Sequence, residues 1–227
     1  MASNTLTLAG QEPLIIFISL THIEAFDRAY ASLIFGMKQK AKLLRFEQPS
    51  GIKEYLLLRP KAVLLTDDAL TWRHDNPLCL YIWDLVLRYV RNGGTVVCMG
   101  MFPSCTRPQD IKPFFSRAGL SWDMGDYHRT TVHLNKAHVP ANVQPFLSES
   151  YSLKGMFLKG VDPTAAWYLP AEDSVNESIV WARERVNTAN TPVAMAKVGD
   201  GYLGFVGDCN GELGSFKVIL AMCGLCE

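Results

Sequence analysis

The sequence predicts an α/β fold with a mainly parallel central sheet and a β-hairpin extension toward the C terminus. Three observations carry that prediction. Through residues 13–99, continuous apolar runs of strand length alternate with helically spaced apolar stretches, the order that yields parallel strands with right-handed crossovers. Residues 93–103, GGTVVCMGMFP, run a β-branched strand into small residues, as when a parallel strand delivers a tight turn above the sheet edge. Beyond Gly119, alternating segments are cut by Gly, Pro, Asn and Asp, which are strand and turn signals.

Residues 13–20 (PLIIFISL) form an apolar run long enough for a strand buried on both faces. Ile23, Phe26, Tyr30, Leu33 and Ile34 then recur at helical spacing, so one helix is expected over 23–37 with Thr21 as its cap. A short strand follows at 42–46, and one or two helical turns at 52–58 stop before Arg59-Pro60. Residues 62–66 (AVLLT) give a third strand. Pro77 opens a strongly amphipathic helix over 78–90, marked by Leu80, Trp83, Leu87 and Val90 and stopped by Gly93. It feeds a strand at 95–99, with Gly100 at the apex of the turn, and a further helix at 111–118. Strands are expected at 130–134, 151–158, 179–183, 193–198 and 202–206. The last two form a hairpin turning at Asp200-Gly201, and a helix at 213–223 closes the chain. With no repeat, low-complexity tract or long linker, residues 1–227 read as one domain.

Length and composition limit the function classes. The 227 residues are 48% apolar, enough to fill a continuous core. Lys plus Arg and Asp plus Glu each number 22, so the cationic footprint of a nucleic-acid binder is missing. No apolar run reaches the roughly 20 residues of a membrane span, and the polar N terminus lacks a signal-peptide core, so a cytoplasmic protein is expected. Six cysteines, Cys79, Cys98, Cys105, Cys209, Cys223 and Cys226, lie mostly in apolar runs and are expected as reduced thiols. The near-neutral surface suits a homodimer.

Four segments carry a family likeness: GGTVVCMGMFP; WDMGDYHRTTVHLN at 122–135; KGMFLKGVDPTAAWYLP at 154–170; and PVAMAKVGDGYLGFVGD at 192–208. Together they resemble the class I glutamine amidotransferase-like superfamily, nearest its fungal amidotransferase-like and ThuA-like branches. The resemblance implies a flavodoxin-like three-layer sandwich. In catalytic members the elbow strand ends in Gly-x-Cys-x-Gly, and a His followed two residues later by Glu comes after a late strand. That chemistry needs a thiolate on a strained turn, an imidazole to hold its proton and backbone N–H groups for the oxyanion. Here Gly100 stands at the Cys position, Asp208 and Cys209 stand where the His is expected, and no His lies beyond residue 138. Glutamine hydrolysis by that triad is therefore not expected.

Ligands of open parallel sheets bind beyond the carboxyl ends of the strands. That rule selects Asp67 and Asp68 after the third strand, Gly100 and Met101 at the elbow, and Asp208, Asn210 and Glu212 after the late strand. These carboxylates, with His74, would suit a hard cation or a general base; equally, they would suit helix caps and turns. Cys105 reads either as a relocated nucleophile or as a small buried filler, and Cys98 as a core residue. Tyr127, His128 and Arg129 read as a loop able to hold an anionic or sugar ligand, with His128 the preferred imidazole over His133. Arg129 reads equally as the structural partner of a carboxylate. Cys223 and Cys226 have redox spacing but end a helix, where the dipole opposes ionisation. No zinc spacing or phosphate loop is present, and Trp72, Trp83, Trp167 and Trp181 read as core or interface residues. The sequence thus points to a non-catalytic or altered-activity protein that binds a small polar ligand or a partner, without metal or cofactor. The alternative is a hydrolase with a rebuilt site.

Overall fold

The computed structural model describes residues 12–71, 76–178, 180 and 182–226. His74, Trp72, Trp181 and part of the strand expected at 179–183 lie outside the described residues. A nine-stranded mixed sheet in the order β2-β1-β3-β4-β9-β8-β7-β5-β6 organises the chain. Its first half comprises β1 (Leu14–Ile18), β2 (Lys42–Phe46), β3 (Ala62–Leu65), β4 (Thr95–Cys98) and β9 (Gly201–Val206), all parallel. Its second half comprises β5 (Asp123–Leu134), β6 (Ser150–Lys159), β7 (Ala166–Pro170) and β8 (Val193–Val198), antiparallel throughout.

The continuous apolar runs reflect burial on both faces. Ile15 and Phe17 enter one core, with residues of α1 (Glu24–Ala29), α2 (Ala31–Lys38) and α7 (Leu213–Met222). Ile16 and Ile18 enter the other, with residues of α3 (Ile52–Leu57), α4 (Pro77–Arg91), the single turn α5 (Phe102–Cys105) and α6 (Pro108–Ser116). Period-two alternation on doubly covered strands fills both cores at once.

Several expectations are corrected. The helix expected over 23–37 is two helices, broken at Tyr30 (φ −107°, ψ 15°), whose hydroxyl donates to the Asp208 carbonyl at 3.1 Å. Thr21 does not cap α1; the N-cap is Ile23, without a side-chain hydrogen bond. The β8–β9 hairpin is internal to the sheet rather than an extension, because β9 pairs in parallel with β4. Its turn is Gly199-Asp200, since Val198 pairs with Gly201 and Gly199 takes φ +63°. Strand β7 was not foreseen, and β5 begins at Asp123 instead of residue 130.

Strand β6 also returns to the sheet's middle. Met156 N–H donates to Gly207 O at 2.9 Å, Leu158 and Thr191 exchange both backbone bonds, and Cys209 N–H donates to Lys154 O at 2.9 Å. The β5–β6 hairpin therefore closes over the end of β9.

Candidate functional site

Because β1, β3, β4 and β9 are parallel neighbours, their carboxyl ends emerge on one edge. The elbow after β4 is strapped to β3 by Met99 N–H to Leu65 O (3.0 Å) and Met101 N–H to Thr66 O (2.8 Å). Gly100 between them takes φ +71°, the left-handed conformation that favours glycine. A Cβ at Gly100 would stand 2.6 Å from Phe26 Cε2 and 3.2 Å from Thr66 O. Phe26 is fixed there by stacking on Tyr30 at 4.9 Å and by an edge contact with Phe17 at 6.2 Å. The turn has an elbow's backbone, and an aromatic ring fills the place of its side chain.

The carboxylates of this edge are buried: Asp67 is 4% exposed, Asp68 1% and Asp208 0%. The Asp67 carboxylate accepts from Thr21 N–H at 2.8 Å and Ala69 N–H at 3.0 Å. That of Asp208 accepts from the N–H groups of Asn210 (2.8 Å), Gly211 (3.2 Å) and Glu212 (2.6 Å), which shapes the turn into α7. Burial raises the pKa of both carboxyls above the ordinary value, against the lowering effect of these bonds. Asn210 is exposed beyond them. Among the described residues, no three His, Cys, Asp or Glu side chains gather as metal ligands.

Cys105 ends α5 near this edge. Its thiol is held above the ordinary range by burial, then by the charges of Asp68 and Asp67 and by Cys209. Cys209 lies against the Tyr127 hydroxyl, and burial together with Cys209 pushes the Tyr127 pKa up to about 12. Lys154 Nζ sits 5.7 Å from the Tyr127 ring centroid. Asp67, Asp68, Cys105, Cys209 and Tyr127 thus lie near one another along the carboxyl edge, beside the elbow at Gly100. Cys98 is wholly buried, and burial raises its thiol pKa strongly.

Tyr127, His128 and Arg129 belong to β5, not to a loop, so their side chains alternate. Tyr127 and Arg129 face residues 209–212: Arg129 Nη2 donates to Glu212 Oε1 at 2.6 Å, and Nη1 to Ser152 Oγ at 3.2 Å. His128 points to the opposite face of the hairpin, stacked on Phe157 with ring centroids 4.2 Å apart. Its Nε2 is buried and meets no hydrogen-bond partner among the described residues. Burial lowers its pKa, opposed by the Asp126 charge. The structure thus separates His128 from Cys105, whereas His133 is exposed. At the end of α7, burial pushes the Cys223 thiol up to about 12, and Gly224 stops the helix at φ +66°. The contacts of Phe26 with the elbow and of Tyr127 with Cys209 were not foreseen. The need for Gly at position 100 was the one sequence signal pointing to the first.

No family model matches the chain, and no curated protein matches it. Solved structures do. A ThuA-like protein from Bacteroides uniformis ATCC 8492 superposes with TM-score 0.59 at 11% identity, over 94% of this chain and 90% of that one. A cytoplasmic protein from Salmonella typhimurium LT2 gives 0.54 at 14% identity, over 93% and 96%. A β-galactosidase from Bacillus circulans sp. alkalophilus gives 0.58 at 12% identity over 94% of this chain, which spans only 31% of that larger protein. Likeness at this identity is likeness of fold alone, here shared with a ThuA-like protein.

Proposed function

We propose that the protein is a non-catalytic amidotransferase-like domain, flavodoxin-like and three-layered, that binds a small polar ligand or a partner protein in the crevice at the carboxyl edge. The observation that carries this reading is the pairing of Gly100 with Phe26: the position that would raise a nucleophile is glycine, and the space above it is occupied. The buried carboxylates support the same reading, because their oxygens accept loop N–H groups instead of facing a substrate. Tyr127, Lys154 and exposed Asn210 remain as the polar contact surface. On this reading the protein is cytoplasmic, pairs as a homodimer, needs no cofactor or metal, and has no nucleic-acid or membrane partner.

Glutamine hydrolysis and ligand binding are separable by experiment. Purified protein incubated with glutamine should release no ammonia above buffer. Release that disappears in Cys105→Ala would replace this reading with the hydrolase one. A thermal-shift screen of small polar metabolites should yield a stabilising compound whose effect is lost in Tyr127→Ala; a screen with no hit leaves the partner-protein reading, checked by light scattering and co-purification.

The hydrolase reading uses either the acidic rim, with or without a metal, or Cys105 as a relocated nucleophile. Activated cysteines are thiolates stabilised by positive surroundings, whereas burial, and then the charges of Asp68 and Asp67, oppose ionisation of the Cys105 thiol. Iodoacetamide labelling at pH 7 should accordingly be slower at Cys105 than for free cysteine and accelerate in Asp68→Asn. Labelling faster than free cysteine would reverse the ranking of the two readings.

A further inference from the structure

At the edge of the sheet opposite the crevice, α3 and α4 enclose a cleft of about 820 Å³ beside the segments that lead into β3 and β4. That volume lies within the range of small-molecule sites, roughly 300–1,000 Å³. Its ionisable lining, tyrosines aside, is entirely cationic: Lys53, Arg59 and Arg88, with no carboxylate, in a chain whose formal net charge is zero. Among the described residues, the Arg59 guanidinium donates only to the backbone carbonyl of Asn92, at 2.8 Å, and neither Lys53 nor Arg88 meets an acidic partner. Apart from Asn92, the remaining side chains of the wall are aliphatic or aromatic, and the cleft is open, with Leu57 73% and Tyr81 45% exposed.

The backbone adds an independent observation. Arg59 stands at φ +54°, in the left-handed region where a Cβ is strained and glycine or asparagine is the usual occupant. It directs its guanidinium across the cleft mouth to residue 92, close enough to the Tyr89 hydroxyl for its charge to act on that group. Non-glycine residues in such conformations concentrate where a side chain has work to do. Tyr89 in turn fixes the cleft floor, its hydroxyl donating to Pro60 O at 2.9 Å.

We propose that this cleft binds a small amphipathic anion, an aromatic or acyl body carrying a carboxylate, sulfonate or phosphate. The apolar part lies on Leu57, Tyr81 and Leu85, and the charge lies among Lys53, Arg59 and Arg88. Cations give such a site its charge selectivity, and removal of apolar area from water gives it affinity. This is a second site, independent of the crevice.

The probe is 8-anilinonaphthalene-1-sulfonate, titrated by fluorescence against full-length protein, with its uncharged analogue N-phenyl-1-naphthylamine and inorganic phosphate as comparisons. One binding site is expected, weakened at least about tenfold by Arg88→Glu and by Arg59→Gly, the loss typical of a charged hydrogen-bond partner. Lys42→Glu, the same charge change on a distant strand, should leave affinity within about twofold. Arg59→Gly relieves the strained conformation, so its melting temperature should be kept or raised while binding falls, which separates ligand loss from unfolding. Phosphate at matched ionic strength should not displace the probe, and the uncharged analogue should not distinguish the variants. The inference is overturned if Arg59→Gly and Arg88→Glu both bind the probe like the parent, if Lys42→Glu weakens binding equally, or if phosphate alone displaces it.

Discussion

The Phe26 ring lies 2.6 Å from where a Cβ on Gly100 would stand, so α1 and the elbow after β4 exclude any side chain at the apex between them. Two separate costs bar one: the left-handed backbone at φ +71°, and overlap with a ring held by Tyr30 and Phe17.

Gly100→Ala should therefore lower stability by about 2–4 kcal/mol, summing backbone strain and overpacking. In a Phe26→Ala background the same substitution should cost only the backbone part, about 1–2 kcal/mol. Urea unfolding of the four proteins in this cycle measures the difference. If the two costs prove equal, the ring does not guard the apex.

Asp208→Asn replaces one carboxylate oxygen by an amide donor facing a backbone N–H, because both oxygens already accept from Asn210, Gly211 and Glu212. A loss of about 1–3 kcal/mol is expected, with the start of α7 losing amide-exchange protection first. Unchanged stability would mean that the carboxylate is free for another task.

His128 should make the protein acid-sensitive. Burial lowers its pKa below the ordinary 6.5, so as pH falls through 6.5 the unfolded chain takes up this proton before the folded chain does. Stability from this group is complete above pH 6.5 and declines as pH falls toward the folded pKa. The raised carboxyls of Asp67 and Asp208 act with the opposite sign, since as pH falls through their folded pKa toward 3.8 the folded state holds protons more tightly. Chemical denaturation at pH 7.5 and 5.5 should show a smaller loss in His128→Phe than in the parent, and a gain of about 1 kcal/mol at pH 7.5 from removing an unpartnered buried nitrogen. Equal losses in both proteins would sink this account.

The parallel half of the sheet was legible because β1, β3 and β4 are covered on both faces and so read as unbroken apolar runs. Gly100 was legible for a related reason, as a glycine at the end of such a run. The antiparallel half was harder. The first half of β5, DMGDYH, is interrupted by a bulge between Met124 and Tyr127 and is only partly buried, so it lacks strict alternation. Strand β7, AWYLP, carries a terminal Pro and pairs irregularly with β8, features that mask a strand in sequence. Missing the start of β5 misplaced His128, because a strand fixes which face each side chain takes and a loop does not. The break at Tyr30 was invisible for another reason: it is stabilised by a hydrogen bond to Asp208, 178 residues away.

The return of β6 onto Gly207 and Thr191 leaves the two borders of the sheet unequal. Over residues 154–158, β6 has backbone partners on both sides, whereas among the described residues β2 at the other border is paired only with β1. Among the described residues, peptide groups open to a further strand thus run along the whole of β2 but along only part of β6, and on β2 Lys42 is exposed and Arg45 is tied to Asp27. A charge carried on the open border opposes the addition of a further strand there, so Lys42 does for β2 what the second row of backbone partners does for β6.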